Sequence, residues 1–323
     1  AMQRRTVLLA AALAPAAARA QAPEWPRARP LRLIVPFPAG GPTDAIARLL
    51  AQPMGASIGQ AILVENRTGA GGNVGAEAAA RAEPDGYTLL VSSIATHGIG
   101  PALYPRLPFD PVRDFASIGI IHESALVIAA HPGFPARDLG ALLAAARARP
   151  GEIGYATSGN GTSPHAAGEM LWGRAGVRLS HVPYRGSAPA LTDVIAGNVP
   201  VLIDNIVSAL EHIRAGRLVA LAAMTGQRAP LLPDLPTVAE QGFPGFAASS
   251  WMALSAPART PPAAIAALNR ALNVALADAT TRGALIALGA NPVGGTPVDL
   301  NAFIASEMAK WAAVVRQAGM RLD

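Results

Sequence analysis

Apolar residues recur along the chain in two alternating rhythms. Short runs rich in Val, Ile and Leu are followed by longer stretches with an apolar residue every third or fourth position. The first rhythm is that of a buried strand, the second that of a helix with one buried face. Strands are predicted over 31–37, 62–65 and 88–92, with helices over 43–57 and 73–81 between them. Two further apolar runs, 115–123 and 125–130, lie close together. The alternation then restarts, with helices over 139–149, 163–175, 188–196 and 206–215. Strands over 153–157, 179–184, 199–203 and 218–225 separate them. A proline-rich passage (Pro230, Pro233, Pro236, Pro244) leads to a strand over 249–256 and three helical patterns. This order predicts an α/β fold with mostly parallel sheets. The chain leaves the first unit near Glu123 and returns near Thr225. Lobe 1 is therefore expected to be discontinuous, 22–124 plus 226–323, with lobe 2 over 125–225. Two lobes joined by two crossovers make a hinged clamp, and the cleft between them is the expected ligand site.

With 323 residues, half of them apolar, the chain can bury a large core. Its formal charge of +5 invites a nucleic-acid reading. Arg4, Arg5 and Arg19 supply much of that excess, and without them 23 basic residues face 21 acidic ones, a net +2. No run of basic residues remains to track a phosphate backbone, so nucleic acid is excluded as a partner. Residues 2–20 read as an export signal: Arg4 and Arg5 form a basic start, 6–17 an apolar stretch, and Ala18-Arg19-Ala20 a cleavage pattern. The apolar stretch is too short to span a membrane. A Sec route is expected, and the paired arginines also allow a twin-arginine route. The sequence has no cysteine, which removes disulfides, thiol nucleophiles and cysteine-based metal sites together.

Ligands of open α/β sheets bind at the carboxyl ends of strands. The first predicted strand ends at Phe37 and runs into Gly40, Gly41, Thr43 and Asp44. The strand over 153–157 runs into Ser158, Gly161, Thr162, Ser163 and His165. Ser92 and Thr96 follow the third strand, Tyr184 ends another, and Asp204 follows the strand over 199–203. In the first two loops glycines allow a tight turn, and a hydroxyl or Asp44 is expected to cap the helix that follows. Ser163 followed by Pro164 reads as N-cap and first helical residue. A helix start presents unpaired N–H groups and a partial positive charge, which suits an anion. Two such starts in separate lobes suit a ligand carrying carboxylates. Phe37 and Tyr184 are candidate cleft aromatics, whereas Trp172 and Trp311 fall in helical patterns and are expected in the core.

Phosphate cofactors fit poorly, and none is expected. No loop carries the Gly-Lys-Ser/Thr ending of a phosphate-binding loop. The glycines over 69–75 lack dinucleotide spacing and read as the turn into the next helix. There is no G-x-S-x-G elbow and no paired-histidine metal motif, so no catalytic or metal-ligating residue is assigned. Of six histidines, only His165 sits at an expected site, as a ligand contact or a structural residue. Asp44 and His165 could be drawn as an acid/base pair, but no nucleophile completes a mechanism.

The stretch VPFPAGGPTD (35–44) resembles the first loop of the tripartite tricarboxylate transporter substrate-binding proteins, the Bug family. The resemblance continues through VENRTGAGGNVG (64–75), PDGYTLL (84–90), YATSGNGTSPH (155–165), HVPYRGSAPALTD (181–193), IDN (203–205) and LPDLPTVAEQGFPGF (232–246). It implies a periplasmic binding protein of type II-like fold that closes on a small organic acid. The loops over 37–44 and 158–165 would pinch one ligand carboxylate with backbone groups and ordered waters. The rest of the ligand varies in the family among di- and tricarboxylates, acidic amino acids, nicotinate-like compounds and aromatic acids. Asp204 would line the variable end and meet any amine there. The implied partners are that ligand and the integral membrane subunits of a permease, with the receptor a monomer. Two alternatives remain open at this level: an exported enzyme acting on a small acid, and a binding protein that signals to a sensor kinase.

Overall fold

The structure is a computed structural model and describes residues 25–320. The expected export signal over 2–20 lies outside the described residues. Lobe 1 opens with β1 (Leu31–Val35), α1 (Pro42–Ile58), β2 (Ile62–Asn66), α2 (Asn73–Ala80) and β3 (Thr88–Ser93). β1 lies between β2 and β3, parallel to both, so each helix is a crossover. α1 buries Ile46, Leu50 and Met54, one stripe at helical spacing, against the apolar face of β1 and β3. A wide helical turn over Ala95–Ile99 leads into the short α3 (Gly100–Leu103).

β4 (Phe115–Ala130) comes next and is buried along most of its length. The two apolar runs expected here form one strand, because Glu123 and Ser124 continue it without a turn. Lobe 2 follows as α4 (Leu139–Ala148), β5 (Gly154–Thr157), α5 (Ser163–Ala175), β6 (Ser180–Pro183), α6 (Ser187–Ile195), β7 (Val201–Asn205), α7 (Ile206–Arg214) and β8 (Val219–Ala223). β5 pairs parallel with β6 and β7. The chain returns through β9 (Ser249–Pro257), α8 (Pro262–Ala277), α9 (Ala279–Leu288), β10 (Ala290–Gly294) and α10 (Pro297–Ala318). β10, a short strand containing Pro292, was not expected from the pattern; it pairs with β4.

The strands form one curled sheet in the order β2-β1-β3-β9-β4-β7-β5-β6, with β8 and β10 also on β4. The fold is the expected two-lobed α/β type, with one refinement. The outer strands of each lobe are parallel, while every described pairing of β4, and that of β3 with β9, is antiparallel. β4 carries the chain out of lobe 1 and β9 carries it back, so the two run in opposite directions. β4 pairs with β9 as far as Ala125 and with β7 from Leu126 onward. One strand thus serves both lobes.

The core is continuous across this seam. Ile94, Leu103 and Ile120 join Leu126, Tyr155 and Trp172 in one cluster, with Trp251 and Trp311 beside them. Trp172 and Trp311 are core residues, as expected. Among the described residues no helix is long and apolar enough to cross a membrane. α10 starts with a reciprocal cap between Thr296 and Asp299 and is pinned further along by Glu307. One oxygen of that buried carboxylate accepts the indole N–H of Trp251 at 2.9 Å and that of Trp311 at 2.9 Å. Lys310 donates to its other oxygen. Glu307→Ala strands two buried donors and is expected to cost about 3 kcal/mol of stability. Glu307→Gln keeps an acceptor and costs less. Urea unfolding followed by tryptophan fluorescence measures both, and equal midpoints for Glu307→Ala and the parent would refute this role.

Candidate functional site

In each lobe the parallel strands bring their carboxyl ends to one edge. In lobe 1 that edge carries the loops after β1, β2 and β3; in lobe 2, those after β5, β6 and β7. The edges meet at two places. A Cβ at Gly186 would lie 3.5 Å from Pro38, across the lobes. A Cβ at Gly71 would lie 2.8 Å from the Tyr104 hydroxyl and 3.2 Å from the Asn160 carbonyl oxygen, and one at Gly161 would lie 3.0 Å from Leu103. The lobes are therefore in contact, and at Gly71, Gly161 and Gly186 the approach leaves little room for a side chain.

The loop after β1 turns at Gly40 (φ +76°) and enters α1 through Gly41. Gly41 is the N-cap and supplies no side-chain bond; Pro42 takes the first helical position. The sequence expectation of a side-chain cap from Thr43 or Asp44 is corrected here, since both lie inside the first turn. Their N–H groups come too early for intrahelical partners. The Asp44 carboxylate is already occupied. It accepts from Gly40 N at 2.9 Å, Arg48 Nε at 3.0 Å and Asn66 Nδ2 at 3.0 Å. Burial alone would raise its pKa, but the bonds from Arg48, Gly40 and Asn66 outweigh that and hold it below the usual range. Asn66 also donates to the Phe37 carbonyl, so the end of β2 fixes the loop after β1.

The loop after β5 is built differently but ends the same way. Thr162, not Ser163, is the N-cap of α5, and its hydroxyl donates to Gly159 O at 2.7 Å instead of capping. Ser163 and Pro164 open the helix, so the N–H groups of Ser163 and His165 lack intrahelical partners. His165 Nδ1 accepts from Gly161 N at 3.2 Å, which places the proton of the neutral ring on Nε2. The ring stacks on His181 at 3.9 Å and 5°. His181 in turn reaches Thr157 Oγ1 at 2.6 Å. Burial lowers His165 to about 4; burial and the neighbouring His165 lower His181 to about 3. Both rings are neutral at pH 7.

The other expected residues separate into groups. The Phe37 ring backs Gly72, where a Cβ would lie 3.3 Å from it and 3.0 Å from the Thr96 methyl. Ser92 bonds Ser255 at 2.9 Å, and Thr96 bonds Ser93 and His97, all within lobe 1. The Tyr184 hydroxyl donates to Asp193 on α6. The Ser158 carbonyl accepts from Gly186 N. Asp204 is fully buried; its Oδ1 accepts from Ser187 Oγ at 3.0 Å and Asn205 N at 2.8 Å. Its Oδ2 has no partner among the described residues, and burial pushes the group up to about 6. Sequence reasoning missed Asn66, Gly71, Tyr104 and Ser187. Asn66 and Gly71 lie inside a motif already noted, but nothing local shows that Asn66 bonds a loop 22 positions away or that Gly71 meets the opposite lobe. Among the described residues no group of three or more His, Cys, Asp or Glu could hold a metal.

Residues 46–320 match the tripartite tricarboxylate transporter family receptor. The chain is 42% identical to the protein BugT of Bordetella pertussis, over 91% of each. A solved R. palustris structure with adipate superposes with a TM-score of 0.89 at 34% identity, covering 92% of this chain and 99% of that one. MatC from Rhodopseudomonas palustris, solved with bound malate, gives a TM-score of 0.85 at 35% identity, covering 90% of this chain and 99% of that one.

The stacked histidines give a pH test of the second loop. Each imidazole is harder to protonate in the fold than in the unfolded chain, where its pKa is near 6.5. Their stability contribution is whole above that value and is lost as pH falls toward the folded values. From pH 7 to 5, the parent should lose about 1–2 kcal/mol more unfolding free energy than His181→Phe. Urea titrations at the two pH values measure this; identical losses would refute the neutral stack.

Proposed function

Because the chain belongs to the tripartite tricarboxylate transporter receptor family, we propose that it is a periplasmic solute receptor that captures a small organic carboxylate between its lobes. The observation that carries this reading is that α1 and α5, one in each lobe, start from glycine-bearing loops at the edges that meet and leave first-turn amides without side-chain caps. A carboxylate between them accepts N–H groups from Thr43 and Asp44 on one side and Ser163 and His165 on the other. The two helix dipoles favour its negative charge. Asp44 does not repel it strongly, because Arg48 already pairs that carboxylate. His165 Nε2 adds a neutral donor. Such a ligand contacts both lobes only when they are closed, so binding favours the closed form.

The mechanism is binding and release, without a covalent step. The closed form is the one presented to integral membrane subunits of a tripartite permease, where opening removes half of the carboxylate's partners. The boundary between lobes falls within β4, at the change of pairing after Ala125, and the return falls in the passage before β9. The basic and apolar residues over 2–20 direct export, and the mature receptor acts as a monomer. The adipate and malate in the two solved relatives support an acid of similar size as ligand.

A thermal-shift screen of mono-, di- and tricarboxylates tests the reading. A ligand at a hundred times its Kd adds about 2.7 kcal/mol and should raise Tm by roughly 5 °C. A screen in which no carboxylate moves Tm, while a sugar or a cation does, would overturn it.

A further inference from the structure

Lobe 1 reaches into lobe 2 at one corner of its chain. After β3, the wide helical turn over Ala95–Ile99 runs into α3 through Gly100, where a Cβ would lie 2.7 Å from the Ala95 carbonyl oxygen. α3 is short because Pro105 follows Tyr104. A residue before proline is driven out of the helical region, and Tyr104 is accordingly extended, with φ −92° and ψ 120°. The corner is held from inside. Ile99 and Leu103 are buried in the same cluster as Trp311 of α10, while Thr96 bonds Ser93 and His97. Leu103 and Tyr104 stand at the tip of this anchored segment, with the Tyr104 ring half-buried against the cluster.

What the tip touches is the loop that opens α5. A Cβ at Gly161 would lie 3.0 Å from a Leu103 methyl, 3.6 Å from the Tyr104 ring and 3.7 Å from its hydroxyl oxygen. Glycine permits both that approach and the φ of +72° found there. The Tyr104 hydroxyl and the Asn160 carbonyl oxygen also face one side of Gly71, 2.8 Å and 3.2 Å from where its Cβ would sit. Gly161 has a role in the loop: its N–H donates to His165 Nδ1 and so sets the imidazole on the first turn of α5. The other end of the loop meets lobe 1 as well, through Gly186, which donates to the Ser158 carbonyl and lies against Pro38. Lobe 1 thus holds the second loop at both ends, and the Leu103–Tyr104 hold bears on the residue that orients His165. Its dispersion contacts exist while the lobes are together and are lost when they part.

We propose that Tyr104, seated with Leu103 on Gly161, is a positioning residue of the receptor: on closure this corner of lobe 1 braces the start of α5 around the bound carboxylate. This rests on the carboxylate-receptor reading and deepens it, since lobe 2's half of the grip is complete only with lobe 1 in place. Encounter takes place with the lobes apart, so the brace slows release and leaves capture almost unchanged.

Stopped-flow tryptophan fluorescence on the full chain, with a carboxylate that raises Tm, tests it. Tyr104→Ala should raise the release rate about fivefold or more, with the association rate constant within about threefold of the parent. Tyr104→Phe keeps the ring and should stay within about threefold of the parent in both rates. If Tyr104→Ala does not fold, Gly71→Ala serves: its methyl would meet the Tyr104 hydroxyl and the Asn160 carbonyl, keep the corner from seating, and raise release to the same degree. A smaller rise in release, an equal rise in Tyr104→Phe and Tyr104→Ala, or a loss of affinity carried by slower association would overturn the brace alone. A parent that binds no carboxylate, but binds a sugar or a cation, would overturn the receptor reading itself.

Discussion

Two of the uncapped helix starts in this protein follow glycine-bearing strand-end loops, one in each lobe. α1 starts at Gly41 and α5 at Thr162, whose hydroxyl is turned to Gly159. Each leaves first-turn amides that need a partner, and each sits at the edge where its lobe meets the other. Much of the surrounding structure holds these two starts in place while keeping other anions from satisfying them. Asp44 would be the natural intruder at α1, yet Gly40, Arg48 and Asn66 draw its carboxylate away into the loop. At α5 the neighbouring imidazole accepts from Gly161 and stays neutral, so it adds a donor without a fixed charge.

Bringing the starts together is the task of the seam. β4 belongs to both lobes and β9 returns alongside it, so the lobes share one continuous strand and one core cluster. A strand resists stretching and shear along its length but can twist, which suits small rotations between lobes. α10 braces lobe 1 beside this seam through Glu307, whose one oxygen binds tryptophans from β9 and from α10 itself. Where the lobes touch, Gly71, Gly161 and Gly186 leave space that side chains would fill. A ligand that bridges the edges gains contacts from both lobes at once.

Much of this was legible in the sequence because it depends on period and punctuation. Buried strands and one-faced helices announce themselves, and the Gly/Pro loops at 37–44 and 158–165 mark the strand ends. Details fixed by distant contacts were not legible. The N-caps fell on Gly41 and Thr162; Thr162 turns its hydroxyl to Gly159, and Asp44 turns its carboxylate to Gly40, Arg48 and Asn66. The runs around Glu123 joined into one strand because β9 and β10 pair across the junction. Asn66 and Ser187 look like ordinary polar residues until folding sets them against Asp44 and Asp204. Tyr184, attractive as a cleft aromatic, is tied to Asp193 on the helix that follows it.

The central claim is that one carboxylate is held by amides from both lobes at once. Backbone amide chemical shifts of ¹⁵N-labelled protein, followed while titrating a carboxylate that raises Tm, test this most directly. The amides of Thr43, Asp44, Ser163 and His165 should move together and fit a single Kd. Shifts confined to one lobe, or four amides that stay still while others move, would contradict it.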